Sequence, residues 1–163
     1  MTETDAQPAG TQGTEGPDTL TADLRRLFGL TGFRPGQREI IEAALAGKDA
    51  LCIMPTGSGK SLCYQLPAML LDGATLVISP LIALMADQVR SLRERGLPAT
   101  FINSTLPPEE QDARVRETAA GKHKILFVAP ERFRARRFNE AMSSVRVALF
   151  AVDEAHCISE WGH

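Results

Sequence analysis

Residues 50–61, Ala-Leu-Cys-Ile-Met-Pro-Thr-Gly-Ser-Gly-Lys-Ser, decide how this chain is read. The apolar run Ala50–Met54 predicts a buried strand, and a helical pattern opens at Lys60 and continues to Leu71. Between them, Gly57 and Gly59 allow a tight turn whose backbone N–H groups can converge on an anion. A helix N-terminus beneath such a turn adds positive potential, and a lysine beside it can meet the outer phosphates. Thr56, Gly57, Ser58, Gly59, Lys60 and Ser61 are therefore candidate phosphate-binding residues, with the Ser61 hydroxyl placed for Mg²⁺. The strict pattern has a glycine where Met54 stands. The plainer alternative is a strand-to-helix turn carrying an exposed lysine, and the strand–loop–helix setting argues against it.

Outward from this segment the chain alternates. Apolar runs at Thr75–Ser79, Thr100–Asn103, Ile125–Ala129 and Ala148–Val152 predict further strands. Helical patterns fill the intervals at Leu81–Gly96, Pro107–Ala120 and Glu131–Met142. Near-continuous apolar strands separated by amphipathic helices imply a parallel sheet covered on both faces, a doubly wound α/β domain. Two helices precede it. One starts near Thr19 with Leu20, Leu24, Leu27 and Phe28 at helical spacing until Gly29. The other runs from about Pro35 to Gly47. Residues 1–18 contain no Val, Ile, Leu or aromatic residue and are expected to form a disordered acidic tail, with residues 19–163 as the folded part.

The whole composition agrees with one globular domain. In 163 residues, 44% are hydrophobic and 23% charged, which excludes a wholly disordered or collagen-like chain. No apolar run approaches the ~18–20 residues needed to span a bilayer, so a soluble, cytoplasmic protein with no membrane partner is expected. The three cysteines, Cys52, Cys63 and Cys157, are scattered without a Cys-x-x-Cys pair, and the expectation is reduced, mostly buried thiols. The net charge of −2 divides into −4 over residues 1–18 and +2 over the rest, which only weakly favours a polyanionic partner.

A second chemical feature is Asp153-Glu154-Ala155-His156, directly after Ala148–Val152. Open α/β sheets place ligand contacts at the C-terminal ends of their strands. There Asp153 can hold the Mg²⁺ that bridges the β- and γ-phosphates, and Glu154 can orient and deprotonate a water. The plainer alternative is an acidic helix N-cap, since Asp is a favoured cap after a strand. Trp161, the one tryptophan, stands beside His163 in a polar stretch that favours an exposed loop, where it could stack on an unpaired base. Arg132, Arg134, Arg136 and Arg137, like Lys122, His123 and Lys124, read by default as a solvated face.

Met-Pro-Thr-Gly-Ser-Gly-Lys-Ser followed by Asp-Glu-Ala-His resembles motifs I and II of superfamily 2 helicases, a group in which the first glycine of the loop is often replaced. Residues 28–37 (Phe-Gly-Leu-Thr-Gly-Phe-Arg-Pro-Gly-Gln) resemble motif 0 of the RecQ DNA helicases. Residues 79–89 resemble their motif Ia, 129–132 their motif Ib, and 156–163 the start of their aromatic-rich loop. The resemblance runs from about residue 20 to residue 163.

It implies a P-loop NTPase domain of RecA-like fold and an ATP-dependent 3′-to-5′ DNA helicase acting in repair and recombination. ATP and Mg²⁺ are the implied cofactors, single-stranded and partly duplex DNA the implied partner. Arg34 and Gln37 would contact adenine, and Leu30 stands where some relatives carry a stacking aromatic. His156, Trp161 and His163 would couple DNA binding to hydrolysis, with Glu160 where glutamine is common. Two other readings stay open: an RNA-dependent DExH ATPase, and a truncated fragment that binds nucleotide or DNA without turnover. The resemblance also implies a domain incomplete at its C-terminus. In RecA-like sheets the strand after the Asp-Glu-Ala-His segment inserts between the phosphate-loop strand and the strand before that segment. An empty slot is thus expected between Ala50–Met54 and Ala148–Val152, with buried backbone groups left unpaired.

Overall fold

The computed structural model describes residues 18–55 and 57–156. Residues 1–17 of the expected acidic tail lie outside them. Asp18 caps the first helix, α1 (Thr19–Phe28), by accepting from the Thr21 N–H at 3.3 Å, and Gly29 ends it in the left-handed conformation. The second helix, α2 (Gln37–Leu45), follows Gly36. Its Arg38 guanidinium binds both Asp18 and Glu42, which ties the start of α1 to α2. Leu20, Leu24 and Ile41 from these helices pack on Leu62 and Leu66 of α3 (Leu62–Leu70).

Four of the five expected strands form: β1 (Ala74–Ile78), β2 (Ala99–Ile102), β3 (Ile125–Val128) and β4 (Val147–Val152). All pairings are parallel, in the order β2-β3-β1-β4. Side chains alternate across the sheet as the two-residue period of a strand requires. Val77 and Phe127 face Tyr64 of α3 and Met85, Val89 and Leu92 of α4 (Ile82–Glu94). Leu76, Ile78, Leu126 and Val128 face the other way, toward Val115 of α5 (Pro108–Ala119) and Phe138 of α6 (Arg136–Met142). The doubly wound α/β architecture expected from the sequence is the one observed. Gly73 is required where β1 begins: it has φ +131°, and a Cβ there would lie 2.8 Å from the Arg146 carbonyl.

Three expectations need correction. The helix expected over Glu131–Met142 is a 3₁₀ turn (Pro130–Arg134) followed by α6, broken at Ala135 (φ −87°, ψ 112°). The Asn139 amide donates to the Phe133 carbonyl at 2.8 Å, and Phe133 packs edge-on against Phe138, so tertiary contacts replace a continuous ladder. Next, α3 begins at Leu62 rather than Lys60, which leaves Lys60 and Ser61 in the turn before it.

Most consequential, Ala50–Met54 is not a strand. A ladder needs a neighbour, and among the described residues β4 pairs with β1 alone. The segment still alternates: Cys52 and Met54 are half-buried, whereas Leu51 and Ile53 are 76% and 85% exposed. Between it and β4, where Phe150 is 57% exposed, lies a cavity of about 650 Å³. The expected slot is present, but it is open to solvent. Its penalty is therefore exposed apolar surface, roughly 25 cal/mol per Å², rather than buried unpaired backbone.

Candidate nucleotide site

The phosphate-loop candidates sit between the extended segment 50–55 and α3. Gly57 and Gly59 both adopt positive φ, +77° and +87°. A Cβ at Gly59 would meet the Gln37 side-chain nitrogen at 2.7 Å, so this glycine serves a close approach as well as a turn. Ser58 Oγ donates to the Pro55 carbonyl at 2.6 Å, and Leu62 N–H donates to the Gly59 carbonyl at 3.1 Å, which closes the loop onto α3. Lys60 Nζ donates to the Met54 carbonyl at 3.2 Å, across the loop's mouth. Thr56 lies outside the described residues.

Arg34 and Gln37 do come to this loop. Gln37 is buried, and its Nε2 donates to the carbonyls of Gly59 at 3.0 Å and Ser58 at 3.4 Å. Its Oε1 accepts from the Arg34 N–H at 2.8 Å, while the Arg34 guanidinium donates to the Gly57 carbonyl at 2.7 Å. In this structure both side chains brace the phosphate loop. Leu30 is 44% exposed.

At the C-terminal end of β4, the Asp153 N–H donates to the Ile78 carbonyl at 2.8 Å, which extends the β1–β4 ladder to the carboxylate. Burial raises the pKa of Asp153 above the usual carboxylate range, and the charge of Glu154 adds to that rise. The Glu154 N–H, which donates to Asp153 Oδ1 at 3.1 Å, opposes it, as do the charge of Lys60 and a hydrogen bond from Gln88. Lys60 and Asp153, 93 residues apart, thus share one electrostatic site. Glu154 holds φ +53°, a left-handed conformation that ordinary side chains adopt only at a cost of order 1 kcal/mol. Its carboxylate lies 3.4 Å from His156 Nδ1. Trp161 and His163 lie outside the described residues, as do Cys157 and Glu160.

Sequence reasoning assigned no role to Gln88 or Tyr64, yet both flank Asp153. The Gln88 side chain lowers the pKa of Asp153, and its Oε1 is buried without a partner. The Tyr64 hydroxyl is likewise buried and unpartnered, and burial followed by the charge of Asp153 raises its pKa. Asp87-Gln88 stands in the segment resembling motif Ia, which was the available signal. The basic residues behave largely as a solvated face: Arg136 pairs with Glu140, Arg137 with Asp112, and Lys122 and His123 with Glu117. Lys124 donates to the Leu71 carbonyl, and Arg132 Nε is buried without a partner. Of the two described cysteines, Cys63 is buried and Cys52 half-buried. Burial and the neighbouring Cys52 push the Cys63 thiol up to about 12.

Among the described residues no helix is long and apolar enough to cross a membrane. Against known proteins, the family model described as DEAD/DEAH box helicase matches residues 34–163. The chain is 50% identical over 149 residues to the ATP-dependent DNA helicase RecQ of Haemophilus influenzae, covering 91% of this chain and 24% of that protein. It is 46% identical over 145 residues to the probable ATP-dependent DNA helicase RecS of Bacillus subtilis, covering 88% of this chain and 29% of the relative. A crystal structure of a hypothetical ATP-dependent RNA helicase from Sulfolobus tokodaii superposes with a TM-score of 0.68 at 24% identity, over 90% of this chain and 44% of that one, a likeness of fold. The chain spans about a quarter of the length of the curated relatives it matches. By the match over residues 34–163, it belongs to the DEAD/DEAH box helicase family.

Proposed function

We propose that this chain carries the ATP site of a RecQ-type, ATP-dependent 3′-to-5′ DNA helicase acting in repair and recombination in the cytoplasm. Residues 19–163 form part of its first RecA-like domain. The observation that carries this reading is that Lys60 and Asp153 line one cavity. The charge of Lys60 at the phosphate loop opposes the rise in the pKa of the Asp153 carboxyl at the end of β4.

In this reading Thr56, Gly57, Ser58, Gly59, Lys60 and Ser61 cradle the phosphates, with Lys60 neutralising the outermost. Arg34 and Gln37 fix the loop's shape and stand at the adenine end. The donor set suits Mg²⁺. Ser61 and Asp153 offer hard oxygen ligands, and among the described residues no group of three or more His, Cys, Asp or Glu side chains could enclose a metal. A cation held by one or two protein oxygens together with substrate phosphates is the usual Mg²⁺ arrangement. When bound, Mg²⁺ would neutralise charge developing on the transferred phosphoryl group. Glu154 orients and deprotonates the attacking water, and His156, in contact with Glu154, links it to the DNA-coupling residues Trp161 and His163. The DNA partner is single-stranded or partly duplex.

The test is ATP hydrolysis by the full-length protein with single-stranded DNA and with RNA. Stimulation by DNA alone is expected. Equal or greater stimulation by RNA would favour an RNA-dependent ATPase, and no hydrolysis with either would favour a non-catalytic binding module.

A further inference from the structure

Three consecutive carbonyls of the phosphate loop are held by two side chains from outside it. Arg34 donates to the Gly57 carbonyl at 2.7 Å, and Gln37 Nε2 donates to those of Gly59 at 3.0 Å and Ser58 at 3.4 Å. Gln37 is itself fixed. It is the first residue of α2, is 3% exposed, and accepts at Oε1 from the Arg34 N–H at 2.8 Å. One turn further on, Ile41 is fully buried against Leu62 and Leu66 of α3, so the start of α2 is set by the core.

In a trans peptide unit the carbonyl of one residue and the N–H of the next point in opposite directions. With the Ser58 and Gly59 carbonyls turned toward Gln37, the N–H groups of Gly59 and Lys60 are turned away from it. Gly57 and Gly59 have positive φ on either side of a serine that does not. Such alternation gathers successive N–H groups into a concavity for an anion. A glutamine that reads a base must present a donor and an acceptor together. Here both ends of the amide are already engaged, Oε1 with Arg34 and Nε2 with the loop.

We propose that Gln37, supported by Arg34, is a positioning residue for the triphosphate, which sets the peptide planes of the loop before any base arrives. Its ligand class is then the polyphosphate itself, and it governs the affinity for a base-free triphosphate as much as that for ATP. The proposal deepens the function proposed above and rests on it.

The test is calorimetry on the full-length protein with Mg²⁺–ATP and with Mg²⁺–tripolyphosphate, for the native chain, Gln37→Asn and Gln37→Met. Asparagine keeps an amide but falls one methylene short of the loop, and methionine keeps the length without the hydrogen bonds. Neither changes the charge near the phosphates. Both variants are expected to bind both ligands about tenfold more weakly, by the same factor. In ATP hydrolysis KM should rise by that factor with kcat held, the pattern of a contact that serves ground state and transition state alike. Weaker ATP binding with tripolyphosphate binding unchanged would overturn the proposal and make Gln37 a reader of the base. Unchanged affinity for both ligands would overturn it as well. If the variants fold poorly, the native chain decides: tripolyphosphate should bind within about a hundredfold of ATP, and a wider gap would overturn a cradle formed without the base. A native protein that binds neither ligand would instead refute the nucleotide site, and the proposal with it.

Discussion

On one side of β1 lies β3, paired along its whole length and bordered in turn by β2; β1 and β3 are buried at every position. On the other side lies β4, paired among the described residues with β1 alone and exposed or half-buried throughout, with Leu51 and Ile53 uncovered across the cavity. The candidate chemistry sits on this second side. Lys60 bonds the end of the open segment, and Asp153 and Glu154 follow β4 directly. The buried half supplies rigidity and the open half supplies ligand contacts, a division that ligand sites share generally because they are drawn from less stable parts of a fold. Changes on the open side should therefore remove activity with little loss of stability, and changes on the buried side should do the reverse.

The largest effect is expected from making the 163-residue chain by itself. With one face of β4 and residues 51–53 uncovered, an apolar strand edge is offered to any neighbouring molecule. Broad melting, aggregation and no measurable DNA unwinding are expected. A sharp, cooperative melt together with DNA-stimulated ATP hydrolysis would show that the open side is self-sufficient. Next in size is Lys60→Ala in the full-length protein, which should lower ATP hydrolysis by about a hundredfold or more while leaving the melting temperature nearly unchanged. Retained hydrolysis would remove Lys60 from the site. On the buried side, Phe127→Ala should cost about 3–5 kcal/mol in denaturant unfolding, because the ring is fully buried and packs edge-on against Tyr64. A loss under 1 kcal/mol would mean that the buried half is not where stability resides.

The buried half was also the more legible half. β1, β2 and β3 announce themselves as continuous apolar runs because parallel strands covered on both faces tolerate few polar residues, and β4 carries such a run although it is exposed or half-buried. Ala50–Met54 carries the same signal and keeps its alternation, but an apolar run specifies a strand's faces and not its neighbour. The order β2-β3-β1-β4 was not readable for the same reason. The candidate site was legible where a local turn forms it, as at Gly57–Ser61, and where a strand end presents a carboxylate, as at Asp153. It was illegible where distant segments meet. Gln88 reaches Asp153 only because the sheet order brings α4 beside the end of β4, and the hold of Gln37 on Gly59 depends on how α2 packs against α3.

A smaller effect separates the two carboxylates. Glu154→Gln should still bind Mg²⁺–ATP and hydrolyse it poorly, since it removes the base and keeps the shape. Asp153→Ala should also weaken Mg²⁺-dependent ATP binding. Calorimetry on both variants checks the division, and equal binding losses would show that the roles are wrongly split.

The smallest effect runs in the opposite direction, toward greater stability on the open side. Asp153 has its pKa raised by burial first and by Glu154 second, so the folded protein binds this proton more tightly than the unfolded chain does. The stability that this proton contributes is present in full below the unfolded pKa of an aspartate. It is lost as pH rises through the higher folded value, where the ionised carboxylate is penalised by its surroundings. Asp153→Asn removes the charge and keeps an oxygen able to accept the Glu154 N–H. In a chelator, without nucleotide, the variant should therefore match the native protein at acid pH and melt higher by a few degrees at most at neutral pH. Added Mg²⁺ and ATP should reverse the order, because only the native carboxylate gains a ligand and binding to the folded state stabilises it. A native protein more stable than the variant at neutral pH in chelator would mean that Asp153 serves the fold before it serves the site.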